Sequence, residues 1–156
     1  MVKPKRVGHL VLNVRDVEVS ERFYTELLGF QVAMKMQQPH ATFLTCGKIH
    51  HDLALFQAPQ GAEPVKAGQL GLNHFAVQIA DLDELKELYQ VLKDNGVQVD
   101  RAVDHNVTAS LYFFDPDGNR IEFFFNKTAT AEEGLAMMYN NWVRNTPLVL
   151  EEVPAD

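Results

Sequence analysis

Tyr112-Phe113-Phe114-Asp115-Pro116-Asp117-Gly118-Asn119-Arg120-Ile121-Glu122-Phe123-Phe124-Phe125 reads as two strands joined by a tight turn, led in by His105-Asn106-Val107-Thr108-Ala109-Ser110-Leu111. Pro116 presets φ, Gly118 accepts a positive φ, and the Asp and Asn side chains bond their own backbone. Aromatic and β-branched residues flank the turn, as strands prefer. One acid, Glu122, sits inside an apolar run, where a carboxylate is costly to bury unless a cation holds it. With residues 115–119 as the loop, Tyr112 falls opposite Glu122 on the same face.

Outward from this hairpin the chain reads as one unit used twice. In the first copy Val7–Val14 is a strand and Asp16 a helix N-cap. Phe23, Tyr24, Leu27 and Leu28 form a helical stripe ended by Gly29. Three strands follow, at Phe30–Met36, Ala41–Cys46 and Ile49–Phe56, the last two joined through Gly47-Lys48. Gln57 to Gly71, with Pro59, Gly61, Pro64 and Gly68, is a linker. From Leu72 the pattern restarts: His74-Phe75-Ala76-Val77-Gln78-Ile79-Ala80-Asp81 mirrors His9-Leu10-Val11-Leu12-Asn13-Val14-Arg15-Asp16. Asp81 and Glu84 form a capping box, Leu85, Leu88, Tyr89 and Leu92 a stripe, and Gly96 the stop. Strands are expected at Val97–Val103, near Thr108–Phe114 and at Arg120–Phe125. The repeat implies an α+β fold of two βαβββ units around a shared core. Past Asn126, Thr130 caps a short helix whose Leu135, Met138, Tyr139 and Trp142 are expected to dock on the domain. The end from Glu151 to Asp156 is expected to fray.

Composition sets bounds. The 156 residues are about one domain's worth, and 46% apolar content suffices for a core. A net charge of −7 argues against nucleic acid or an anionic membrane as partner. The single cysteine, Cys46, excludes an intrachain disulfide and a Cys-based zinc site. No apolar run is long enough for a membrane span, and no signal-peptide pattern follows the basic start, so a cytoplasmic setting is expected.

Strand alternation puts His9, Val11 and Asn13 on one face of the first strand and Leu10, Leu12 and Val14 on the helix side. His74 obeys the same rule, with Phe75, Val77 and Ile79 toward the helix. His9, His74 and Glu122 can then share a concave face. Two histidines and one carboxylate form the facial triad, which on Fe(II) leaves three positions open, and Mn(II) accepts the same donors. The residual positive charge favours an anionic, chelating ligand.

At these residues, over roughly 7–126, the chain resembles the vicinal oxygen chelate superfamily, and within it the type I extradiol ring-cleavage dioxygenases. That resemblance implies a cup-shaped mixed sheet with helices outside and a C-terminal helix. Module one spans 7–57, the linker 58–70, module two 71–126 and the tail 127–156, all within a single domain, 1–156. It makes His9, His74 and Glu122 the metal ligands. His51-Asp52-Leu53-Ala54-Leu55 resembles the motif carrying the family's acid/base histidine. Tyr112 stands where the family has a catalytic tyrosine ten residues before the ligand glutamate. His105 stands near a second pocket histidine, although this segment is about two residues shorter. The implied substrates are a small catechol and O2, with a homodimer or higher homo-oligomer as assembly. The chain departs from the four-module enzymes in having two modules and a longer loop between His51 and His74.

Other readings stay open. Tyr112 is alternatively an interior aromatic, His51 a surface neighbour of His50, and His105 a loop residue. A glyoxalase-type isomerase needs a second carboxylate in Ile49–Phe56, where the only acid is Asp52 and Ala54 holds the equivalent position. A fosfomycin-type thiol transferase uses the same triad with Mn(II). A metal-free binding protein of the bleomycin-resistance type needs none of it.

Overall fold

The computed structural model describes residues 1–64, 66, 68–142 and 144–151. The chain divides into two compact units, residues 1–65 and 66–156. The architecture is α+β, with a four-stranded sheet in the first unit and a five-stranded sheet in the second.

In the first unit the strands are β1 (Leu10–Val14), β2 (Gln31–Gln37), β3 (His40–Thr45) and β4 (Leu53–Gln57), in the order β1-β4-β3-β2. β1 runs parallel to β4, and the other pairs are antiparallel. The helix α1 (Val17–Arg22) starts where expected, with the Asp16 carboxylate accepting from Val19 N at 2.9 Å. It continues as a π-helical turn, Phe23–Leu27, that carries the buried Phe23 and Tyr24. Alternation along β1 holds: Leu12 and Val14 are buried, while Val11 and Asn13 face out. β4 begins later than the apolar run suggests, at Leu53. Residues 46–52 form a loop instead, because Asp52 ties it down by accepting from Cys46 N (2.8 Å) and Thr45 Oγ1 (3.3 Å).

The second unit holds β5 (Phe75–Gln78), α2 (Leu82–Asp94), β6 (Val99–Asp104), β7 (Thr108–Phe114), β8 (Arg120–Asn126), α3 (Ala131–Tyr139) and β9 (Thr146–Pro147). Its sheet runs β5-β8-β7-β6-β9, with β5 parallel to β8. Asp81 caps α2 through Asp83 N and Glu84 N, and Glu84 reaches back to Ala80 N at 2.8 Å. Leu85 and Leu92 are fully buried. Truncating either to Ala is expected to cost about 2–5 kcal/mol, the transfer loss plus the cavity. The opening hairpin has the register read from the sequence, Tyr112 opposite Glu122. Asp115 organises its turn, accepting from Asp117 N (2.9 Å), Asn119 N (2.7 Å) and Asn119 Nδ2 (2.9 Å), while Gly118 takes φ +83°.

The tail departs from expectation. Thr130 does cap α3, through Glu133 N at 3.1 Å. Yet Leu135, Met138, Tyr139 and Trp142 are exposed rather than docked, and only Gly134 of the helix is buried. Gly134 lies close to Thr128 and Val107, so the helix approaches its unit through its small residue and turns the apolar stripe outward. Nor does the chain fray at Glu151. Leu150 is buried, and the Glu151 carboxylate accepts from Tyr89 Oη and pairs with Lys93, each at 2.9 Å. Residues 152–156, also expected to fray, and linker positions 65 and 67 lie outside the described residues.

Candidate functional site

The hairpin of the second unit supplies the most concentrated chemistry. Tyr112 on β7 and Glu122 on β8 are cross-strand partners, and both are nearly buried. Parallel pairing puts Ala76 of β5 beside Glu122. His74, two residues earlier, therefore projects on the same side of the sheet as Ala76 and reaches the acid: Nε2 lies 2.9 Å from Glu122 Oε2. The other ring nitrogen, Nδ1, is 2.8 Å from Asn73 Oδ1. An amide oxygen can only accept, so His74 Nδ1 carries a proton and Nε2 is directed at the carboxylate.

Tyr112 is the hub of this face. Its ring meets those of His74 (5.4 Å between centroids) and His105 (6.2 Å) edge-on. The Arg120 guanidinium lies over it at 4.5 Å and that of Arg101 at 5.5 Å. Arg120 is in turn held by Asp100 and lies near Asn73 Oδ1. Burial, and then the charge and hydrogen bonding of Glu122, push the Tyr112 phenol above its ordinary range, against the opposing Ser110 hydroxyl and Arg120 charge. The phenol thus stays protonated at neutral pH. His105, just past β6, places Nε2 3.0 Å from Tyr112 Oη and Nδ1 2.6 Å from Asn145 Oδ1.

In the first unit His9 and His51 are brought together by strand pairing. They immediately precede the region where β1 and β4 join, and Leu10 N donates to Asp52 O at 2.9 Å. The His9 and His51 rings lie 4.4 Å apart, Phe43 meets His51 edge-on at 5.3 Å, and His50 Nδ1 lies 2.6 Å from His51 Nδ1. Partial burial, then the neighbouring His9 and His50, hold the His51 imidazole below the ordinary histidine range. It is therefore a neutral base at pH 7.

Each unit holds its own cluster: His9 with His51 in the first, and His74 with Glu122, Tyr112 and His105 in the second. Among the described residues no three His, Cys, Asp or Glu side chains form a ready metal-holding group. The His74–Glu122 pair nevertheless suits a divalent ion. Donors bound cis at about 2.1 Å on an octahedral ion lie roughly 3 Å apart, and the two donor atoms are 2.9 Å apart. With His74 Nδ1 directed at Asn73 Oδ1, Nε2 is the ring nitrogen that faces Glu122 and is placed to meet an ion there.

Sequence reasoning missed Asn73, Asp100, Arg101, Arg120 and Asn145 here. Arg120 was detectable, because it alternates with Glu122 and so shares the Tyr112 face. Asn73 had a weaker signal, adjacency to His74. Asn145 had none, since it arrives through tertiary pairing of the tail.

With this geometry in view, comparison with known proteins defines the class. Residues 6–123 match the profile of the Glyoxalase/Bleomycin resistance protein/Dioxygenase superfamily. The chain is 35% identical over 140 residues, 89% of its length, to biphenyl-2,3-diol 1,2-dioxygenase 3 of Rhodococcus globerulus, of which it covers 73%. It is 30% identical to glutathione transferase FosA of Serratia marcescens, covering 79% of this chain and 82% of that protein. A glyoxylase/bleomycin resistance protein/dioxygenase domain of Frankia sp. EAN1pec superposes with a TM-score of 0.71, covering 84% of this chain and 98% of that one at 19% identity, a likeness of fold. The chain belongs to the Glyoxalase/Bleomycin resistance protein/Dioxygenase superfamily. Among the described residues no helix is long and apolar enough to cross a membrane.

Proposed function

We propose that this protein is an Fe(II)-dependent extradiol dioxygenase that opens a catechol-type ring beside the diol, with O2 as co-substrate. The observation that carries this reading is the array on one sheet face, Glu122 beside His74 and Tyr112 beside His105, in a chain similar to a biphenyl-diol dioxygenase. His74 and Glu122 would hold the metal, Fe(II) or alternatively Mn(II), with His9 as the third ligand that the sequence resemblance implies. When bound, the ion supplies a chelation point for the diol and the redox chemistry that engages O2.

The chain's own residues supply binding and proton traffic. His51 Nδ1 is engaged with His50, so Nε2 is the atom that takes a phenolic proton from the catechol. Its lowered proton affinity keeps it in the accepting form. Tyr112, neutral and braced between Arg101 and Arg120, hydrogen-bonds a substrate oxygen, and His105 backs it from behind. The neighbours of Glu122 on β8, Ile121 and Phe123, are buried on the opposite face of the sheet and anchor the strand that carries the acid.

An isomerase of the glyoxalase type is disfavoured by the first unit. Asp52 is consumed in holding its loop, and Ala54, at the position equivalent to Glu122, carries no donor. A thiol transferase is the second reading, supported by the similarity to FosA. The two separate in one experiment. Protein purified without oxygen and loaded with Fe(II) is offered catechol, 2,3-dihydroxybiphenyl and homoprotocatechuate, with visible absorbance as readout. A yellow ring-opened product supports the dioxygenase. No product with any of the three, together with glutathione consumption on fosfomycin in Mn(II), supports the transferase.

A further inference from the structure

The C-terminal strap reaches the candidate site at one atom. Asn106 Nδ2 donates to Trp142 O at 3.0 Å, and β9 then pairs with the end of β6, Thr146 with Asp104 and Pro147 with Val103. Leu148 N donates to Ala102 O, Leu150 is buried, and Glu151 is tied to Tyr89 and Lys93. Between these anchors Asn145 sets its side-chain oxygen 2.6 Å from His105 Nδ1, while the opposite ring nitrogen lies 3.0 Å from Tyr112 Oη.

We propose that Asn145 is a positioning residue that fixes the tautomer of His105 and, through it, the direction of the Tyr112 hydroxyl. An amide oxygen accepts only, so Nδ1 must carry the proton. Free neutral imidazole side chains favour the other tautomer, with the proton on Nε2. Asn145 reverses that preference and leaves Nε2 as an acceptor toward the phenol. The phenol has one proton, with Glu122 and His105 Nε2 beside it as acceptors and the Ser110 hydroxyl beside it as a donor. With that proton directed into the protein, the Tyr112 oxygen presents its lone pairs outward. On the dioxygenase reading, on which this consequence rests, Tyr112 then receives a hydrogen bond from a substrate hydroxyl that remains protonated. The strap residue thereby selects for a ring carrying such a hydroxyl.

The test reads the tautomer directly. The full-length chain, 15N-labelled at histidine and kept with Zn(II) as a diamagnetic probe ion, is examined by NMR at about pH 8.5, two units above the usual histidine value. The expected spectrum has His105 protonated at Nδ1 and bare at Nε2. Asn145→Leu should shift the population toward the Nε2-protonated form by roughly fivefold or more, the worth of one hydrogen bond. Asn145→Asp, which keeps an acceptor oxygen, should restore the Nδ1-protonated form. In Fe(II)-loaded protein with 2,3-dihydroxybiphenyl, kcat should fall roughly tenfold in Asn145→Leu, the usual cost of losing an outer partner of a functional histidine, and recover in Asn145→Asp. A wild-type His105 protonated at Nε2 would mean that the amide presents its NH2 group, and this overturns the proposal. So does an unchanged tautomer in Asn145→Leu. If no catechol is turned over by any form, the dioxygenase reading fails while the tautomer result still decides the role of Asn145.

Discussion

The two units carry the same strand register and opposite chemistry. Two residues after His9, Val11 pairs with Ala54, which pairs in turn with Phe43. Two residues after His74, Ala76 pairs with Glu122, which pairs in turn with Tyr112. At equivalent places the first unit has an apolar Ala and Phe, and the second a carboxylate and a phenol. The two platforms are matched in register, and of the two equivalent positions only that of the second unit carries an acid. The first unit has His9 and a second histidine, His51, packed edge-on against Phe43, which occupies the position equivalent to Tyr112. On the proposed function, one carboxylate with two imidazoles would hold the cation, and a second acid would change both the charge and the number of open positions.

The largest effect expected from disturbing this asymmetry is at Glu122. Glu122→Ala should lower affinity for Fe(II) by roughly 100-fold or more, measured by metal analysis after dialysis, since ligands matter more than the outer partners whose loss costs 10–100-fold. His51→Phe should keep the metal and lose about 10²–10⁴ in kcat, the usual worth of a general base. Retained full activity would remove His51 from the mechanism. Moving the acid to the other unit, Ala54→Glu, should cost about 2–4 kcal/mol in urea unfolding of metal-free protein, because the Ala54 site is fully buried and a carboxylate there loses its hydration. An unchanged midpoint would show that the first platform tolerates charge and that the asymmetry is incidental.

The smallest effect is electrostatic. Lys127, next after β8, pairs with Asp104 at 2.5 Å, and this hydrogen bond holds the Asp104 carboxyl below the ordinary aspartate range. A carboxylate depressed in the folded state adds stability above its unfolded value, near pH 4, and loses it as pH falls through the folded value. Lys127→Met should weaken that acid-side slope, the Asn106 N–H bond to Asp104 remaining, while changing stability at pH 7 by less than about 1 kcal/mol, since the pair is partly exposed and screened. Chemical denaturation between about pH 3 and pH 7 checks both statements.

What could be read in the sequence was local. The Asp115–Asn119 turn fixes its own hairpin, and with it the Tyr112–Glu122 register. The Asp16, Asp81 and Thr130 caps mark helix starts through bonds to residues two or three positions on. The His9/His74 repeat locates the parallel strands. Less legible were features set by distant partners. The start of β4 is delayed by Asp52 holding the loop of residues 46–52, which an apolar run does not reveal. The stripe on α3 is periodic, yet periodicity states only that a helix is amphipathic, and Gly134 decides which side approaches the unit. Thr146 and Pro147 look nothing like a strand alone; they pair because β6 offers an open edge. Asn145 enters the site on that pairing.

The central claim is that these half-sets serve oxygen-dependent cleavage of a diol-bearing ring. Oxygen-electrode recording of Fe(II)-loaded protein with 2,3-dihydroxybiphenyl tests it most directly. Equimolar uptake of O2 and appearance of a yellow product, both abolished in Glu122→Ala, is the expected result. Protein that binds Fe(II) stoichiometrically through Glu122, yet consumes no O2 with this or any other catechol of the panel, would contradict it.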